Sequence, residues 1–306
     1  MIRLFITLCL VPLLSAQSLL PVKHRTWSAR MDSAIQWKEP VSVSSSPLGY
    51  LYVSDAATHS ITRITIQTGD VILQGGEGWD NGQFELPISI DASNGLNVYV
   101  ADQQNHRIQV LDKDLHFLSL LSGAEETAED GAFQWPGDVA ISPLGDLYVI
   151  DGDRPRILRF DGQYRAVGSF GDRETGDGQL LQPRRLIWLP DNRMGVCDPS
   201  LGALVVYSAF GDPLGRWGEG VLSQPVAAAV WTGKGLFVLD GEKNAMFLFS
   251  FKGRVLAVMG PDLFPEGLLR HAVDIAVHGR QLYILNRESA TLTAFELHQS
   301  GAPQGS

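Results

Sequence analysis

The chain has 306 residues, 44% of them hydrophobic and 19% charged, with a formal net charge of −10. That length buries a sizeable core, and an acidic chain repels phosphate backbones, so nucleic acid is excluded as a default partner. Beyond the N-terminus no apolar run reaches the ~18 residues of a membrane-crossing helix, so no membrane span is expected.

The first element is residues 1–16. Arg3 is its only charge, Leu4 to Leu14 is apolar apart from Thr7 and Pro12, and Ala16 offers a small residue at a cleavage point before Gln17. This is the layout of a secretory signal peptide. The run is short for an uncleaved anchor, and Thr7-Leu8 ahead of Cys9 makes a poor lipoprotein box. The expected product is a free protein, secreted or periplasmic. Its one remaining cysteine, Cys197, lies in the strand-like Met194-Gly195-Val196-Cys197-Asp198 with no base or cation beside it. It reads as a small buried hydrophobe, and no intrachain disulfide is possible.

Repeats organise residues 37–297. Leu51-Tyr52-Val53-Ser54-Asp55 recurs as Val98 to Asp102, Leu147 to Asp151, Met194 to Asp198, Leu236 to Asp240 and Leu282 to Asn286. The final residues Asp55, Asp102, Asp151, Asp198, Asp240 and Asn286 are 47, 49, 47, 42 and 46 apart. Pro40, Pro87, Pro136, Pro183 and Pro225 each precede their Asp by fifteen residues, and Ala272 takes that place in the sixth repeat. Two markers with one period indicate a repeat architecture. Each repeat reads as four short strands with Gly- and Pro-marked turns and no helical period, which is a propeller blade. The fold class is therefore all-β, a six-bladed propeller.

The sixth repeat ends after three strands. Residues 17–36 precede the first repeat and hold spare chain, so His24 to Arg30, with Trp27, is expected to supply the missing strand and cover an open edge. Residues 298–306 read as a flexible tail.

The pattern Gly82-Gln83-Phe84-Glu85-Leu86-Pro87, followed by Val98-Tyr99-Val100-Ala101-Asp102-Gln103-Gln104-Asn105-His106-Arg107-Ile108, resembles the NHL-repeat family. Gly178-Gln179-Leu180 repeats it before Pro183. The resemblance covers residues 37–297, is strong in repeats two and three and degraded in five and six. It implies the propeller fold and leaves function open, since one fold hosts many activities.

The enzymatic branch of that resemblance, the peptidyl-amidoglycolate lyases, implies zinc-binding histidines just after the Pro. Here those positions are Val41, Ile88, Gly137, Arg184, Val226 and Val273, and none is a ligand. His271 stands alone beside them, whereas zinc needs three or four converging ligands. No metal, cofactor or catalytic residue is assigned. His59 and His106 occupy equivalent turns and read as repeat consensus. The six strand-end Asp and Asn residues read as structural acceptors for turn N–H groups.

The second residue after each Pro marker is Ser42, Ser89, Asp138, Arg185, Ala227 and Asp274. These are expected to ring one mouth of the central channel. Asp138, Arg185 and Asp274, with Arg184 beside them, are the candidate ligand-binding residues, either mutually paired or holding a charged group such as a peptide terminus. Trp79, Phe84, Phe133, Trp135 and Trp217 lie near the inter-blade loops and read first as blade packing. The acidic run Glu125 to Asp130 reads as a solvated loop. The functional expectation is a monomeric binding or scaffold module for a protein or peptide; the alternative is a channel-mouth hydrolase or lyase.

Overall fold

Four-residue turns and short strands leave each repeat only one way to bury its apolar face, which is against the next repeat. A computed structural model describes residues 19–123 and 132–299. The segment read as a signal peptide, the Glu125–Asp130 run and residues 300–306 lie outside the described residues. Six four-stranded antiparallel sheets form a six-bladed propeller. Blade 1 is β2 (Pro40–Ser46), β3 (Tyr50–Asp55), β4 (Ser60–Thr65) and β5 (Val71–Gly75), innermost to outermost. Blades 2 to 5 follow the same order, beginning with β6 (Pro87–Asp91), β10 (Pro136–Ile141), β14 (Arg185–Trp188) and β18 (Pro225–Trp231).

Burial falls from the inner strands to the rim. The second strands β11 (Leu147–Asp151), β15 (Met194–Asp198) and β19 (Gly235–Asp240) are buried at every residue, because neighbouring blades cover both faces. The outer strand β13 (Ala166–Phe170) buries only Phe170. Tyrosines of the second strands also latch blades together. Tyr52 Oη donates to Lys113 O at 2.8 Å, and Tyr148 Oη to Ala209 O at 2.6 Å, each in the following blade.

Blade 6 is β22 (Ala272–His278), β23 (Gln281–Asn286), β24 (Thr291–Gln299) and, from the other end of the chain, β1 (Leu19–Trp27). The N-terminal strand closes the ring, with Trp27 opposite Leu292. It starts five residues before the expected His24 and ends at Trp27, because Ser28 O accepts N–H bonds from Met31 and Asp32 and turns the chain away. Trp27 is buried against Tyr283, and the Arg25 guanidinium sits 4.9 Å from its ring. At the far end β24 continues to Gln299, so residues 298 and 299, assigned to the tail, are paired with Leu20 and Leu19.

Candidate functional site

The strand-end carboxylates tie each blade to the loop that enters it. Asp55 Oδ2 accepts the N–H groups of Lys38 and Glu39 at 2.7 and 2.8 Å, while Oδ1 takes those of Ala57 and Thr58. Asp198 does the same for Leu181, Gln182, Ser200 and Leu201. Asp240 accepts from Ser223, Gln224 and Lys243. The sequence anticipated the following turn; the structure adds the preceding inter-blade loop. Asn286 is informative. Its Nδ2 donates to Leu268 O at 2.8 Å, a bond that an Asp there would be unable to make.

His59 and His106 share a left-handed turn conformation, φ 52° each. His59 Nδ1 accepts from Leu86 N at 3.1 Å, and His106 Nδ1 faces Gln134 O, so both brace loops at the rim. Phe84 and Phe133 are buried between blades, while Trp79 is largely exposed. Cys197 is buried, and that burial pushes its thiol up.

The ring of second residues does not stand at a mouth. In five blades the innermost strand begins at the Pro position itself, or at Ala272 in blade 6, and a bulge, for example between Pro136 and Asp138, turns the second residue inward; in blade 4 the strand begins at Arg185, opposite Cys197. Ser42, Ser89, Asp138, Ala227 and Asp274 are each at most 2% exposed. The structure brings Asp138, Arg185 and Asp274 together across the channel. Arg185 Nη1 lies 2.8 Å from Asp138 Oδ1 and its Nη2 2.6 Å from Asp274 Oδ2. Nη1 also reaches Ser42 Oγ at 3.2 Å and Ser89 Oγ at 3.3 Å. Ser42 donates on to Asp274, and Ser89 to Asp138. Backbone N–H groups of Leu186 and Val43 complete the carboxylates at 2.6 and 2.7 Å. Burial alone would lower Arg185, but the two carboxylates outweigh it and hold the guanidinium above its ordinary value. Burial raises Asp274 despite Arg185 beside it. One arginine between two carboxylates thus closes the channel part-way along.

Two openings remain, one on each side of this closure. On the side where first and second strands turn, a cavity of about 220 Å³ is lined by Asp138, Arg185 and Asp274 themselves, by Asp91, Ser44, Ser45 and Ser93, and by apolar side chains of the inner strands. Asp91 Oδ2 accepts from Ile141 N and its Oδ1 from Ser93 N, both at 2.8 Å, and burial raises it above the usual carboxylate value. The sequence reading passed over Asp91. The readable signal was a carboxylate at the position where the other repeats carry Ser44, Ala140, Ile187, Ala229 and Ala276.

On the opposite side, where the inter-blade loops meet, a cavity of about 360 Å³ is lined by Arg184, Arg270, His271, Arg287 and Glu288 above the strand starts Val226, Ala272 and Val273. Adjacent in sequence, Arg184 and Arg185 therefore serve different places: Arg185 the closure, Arg184 the mouth. His271 Nε2 is 3.0 Å from Glu288 Oε2, and Arg287 is 3.5 Å from Glu39. The side chains of Arg184 and Arg270 make no hydrogen bond or ion pair among the described residues. The surrounding walls, then the like charges of Arg185 and Arg287, hold Arg184 below the usual guanidinium value; an arginine still remains cationic at neutral pH. Among the described residues no three His, Cys, Asp or Glu side chains converge to hold a metal ion, and no helix is long and apolar enough to cross a membrane. Arg270, Arg287 and Glu288 were not singled out from sequence, because their loop and turn positions carry no repeat marker.

No family model matches the chain. Over 183 residues it is 26% identical to NHL repeat-containing protein 2 of Bos taurus, covering 50% of this chain and 25% of that one. Over 133 residues it is 26% identical to Protein brain tumor of Drosophila melanogaster, covering 43% and 13%. The repeats are similar to those of an NHL repeat-containing protein. The chain thus spans about a quarter or less of these two relatives. Among solved structures, virginiamycin B lyase from Staphylococcus aureus superposes with a TM-score of 0.62 at 9% identity, covering 91% of this chain and 98% of that one. A streptogramin B lyase superposes with a TM-score of 0.60 at 11% identity, covering 93% and 87%. At these identities the likeness is one of fold: the repeats are here built into a six-bladed propeller whose channel is closed from within.

Proposed function

We propose that this protein is an exported binding module, presenting the mouths of a closed propeller to a protein or peptide ligand. The observation that carries the reading is the division of the axis. The Asp138–Arg185–Asp274 closure leaves no path through the channel, yet the mouth above it keeps two arginines, Arg184 and Arg270, whose side chains have no partner among the described residues. Charged groups held at a concave opening are suited to orienting a ligand. Residues 1–16 have the composition of a leader, and the likeness to an NHL repeat-containing protein supports a scaffold role. The test has two parts. N-terminal sequencing of the protein recovered from its host's envelope or medium should begin near Gln17; recovery of the intact leader in the cytoplasm would refute export. Immobilised protein should then capture a species that titrates to one site; absence of any saturable binder would refute the binding reading.

A second reading, a lyase or hydrolase at the same mouth, is favoured by the His271–Glu288 pair beside the arginines, where a general base and an anion-binding group would meet. The propeller neighbours include a catalytically inactive virginiamycin B lyase variant solved with Quinupristin. Incubating purified protein with Quinupristin tests this directly: cleavage of the compound would place catalysis ahead of binding.

A further inference from the structure

The Arg184 mouth is a dead end. Below it the Arg185 cluster fills the axis, so a chain entering the opening has to stop there. A ligand that ends in the mouth fits this shape better than one that threads through it. The charge of the lining narrows the chemistry. Arg287 faces Glu39 and Glu288 faces His271, so Arg184 and Arg270 are the two lining guanidiniums without a carboxylate partner among the described residues, in a protein whose net charge is −10. The crowding that lowers Arg184 comes partly from Arg287, and an anion between them would relieve it.

A second cavity, of about 340 Å³, shares Glu288 and runs outward over blade 6. Its lining includes Lys23 and Thr26 of the closing strand, Gly267 and Leu268 of the last inter-blade loop, and Ser289 and Thr291. Hydroxyls, loop backbone, the Glu266 carboxylate and the apolar side chains of Pro265 and Leu268 along a groove suit an extended peptide, whose N–H groups need acceptors and whose side chains need shallow contact.

We propose that the Arg184 mouth captures the carboxyl terminus of a peptide whose last residue is Asp or Glu, with the preceding residues lying in the groove over blade 6. The terminal and side-chain carboxylates together match Arg184 and Arg270, the two guanidiniums without a carboxylate partner among the described residues. Planar guanidiniums pair carboxylates bidentately, which gives both strength and orientation. This assignment rests on the binding reading above and adds the ligand class and its direction.

The test uses randomised hexapeptides tethered by their N-termini, each made with a free and with an amidated C-terminus, against the purified protein. Selection of free-acid peptides ending in Asp or Glu is expected, with amidation weakening them about tenfold or more. R184Q and R287Q should each weaken the selected peptides about fivefold or more without moving the melting temperature, since both side chains reach solvent. Equal retention of free and amidated peptides would overturn the assignment. So would displacement of the peptides by inorganic phosphate at concentrations near the peptide affinity, which would mark a simple oxyanion site. If no peptide is retained while a saturable native partner is captured, this inference falls and the binding reading stands; if neither binds, both fall.

Discussion

Blade 2 and blade 6 carry the same turn with opposite use of charge. In blade 2, Asp102 is fully buried and accepts from Glu85 N, Asn105 Nδ2, Arg107 Nε and Gln109 Nε2. Arg107 passes the network on to Trp79 O and Gln83 O at 2.8 and 2.9 Å, fixing the inter-blade loop. In blade 6 the Asp position is Asn286 and the Arg107 position is Thr291, so that network has no counterpart. The turn's charges, Arg287 and Glu288, stay about half and nearly three-quarters exposed. Where a repeat keeps its consensus, polar groups are committed to structure. Where it departs from consensus, they stay at the surface in solvent-exposed pairs.

The contrast breaks most visibly at its most buried points. Trp27→Ala should destabilise by about 3–5 kcal/mol, because it empties a large buried site and loosens the strand that closes blade 6. Deleting β1 should in addition expose the β24 edge and promote association, read by light scattering. A melting temperature unchanged by Trp27→Ala would mean that closure contributes little.

Asp102→Ala should cost about 3–5 kcal/mol in denaturant unfolding, since it strands a buried Arg107. Asn286→Ala, which strands only neutral partners, should cost about 1–3 kcal/mol. Equal costs at the two positions would erase the distinction between the blades.

The smallest expected effect concerns pH. Burial raises Asp91 in the folded state, so the folded protein holds that proton more tightly than the unfolded chain. Stability from this group is present below the ordinary carboxylate pKa and is lost as pH rises through the raised folded value. The stability difference between the parent and Asp91→Asn should therefore shift toward the parent as pH falls from 7 to 4. A shift the other way would show that Asp91 is held ionised by its N–H donors.

Much of this was legible in the residues. The Pro-to-Asp spacing gave the six blades because the two markers lie opposite each other at one end of the first hairpin, Pro40 opposite Asp55, Pro87 opposite Asp102, Pro136 opposite Asp151 and Pro225 opposite Asp240. Trp27 pointed to closure because a large aromatic needs burial, although the strand's bounds depended on the Ser28 turn. The grouping of Asp138, Arg185 and Asp274 followed from equivalent positions around a ring. Their depth did not, because it depends on where the inner strands begin and on the bulge. The Arg184 mouth was least legible: Arg270 and Arg287 reach it from a loop and a turn whose paths no periodicity records.

Arg184 and Arg185 are neighbours in sequence with opposite assignments, and one paired measurement separates them: the melting temperature and the affinity for an acidic-terminated peptide in R184Q and R185Q. R185Q should lose about 3–5 kcal/mol of stability, because it leaves Asp138 and Asp274 buried without their cation. R184Q should melt like the parent and bind the peptide about fivefold or more weakly. An R184Q protein that binds normally, or an R185Q protein that melts normally, would contradict the division of the axis into a structural closure and a ligand-binding mouth.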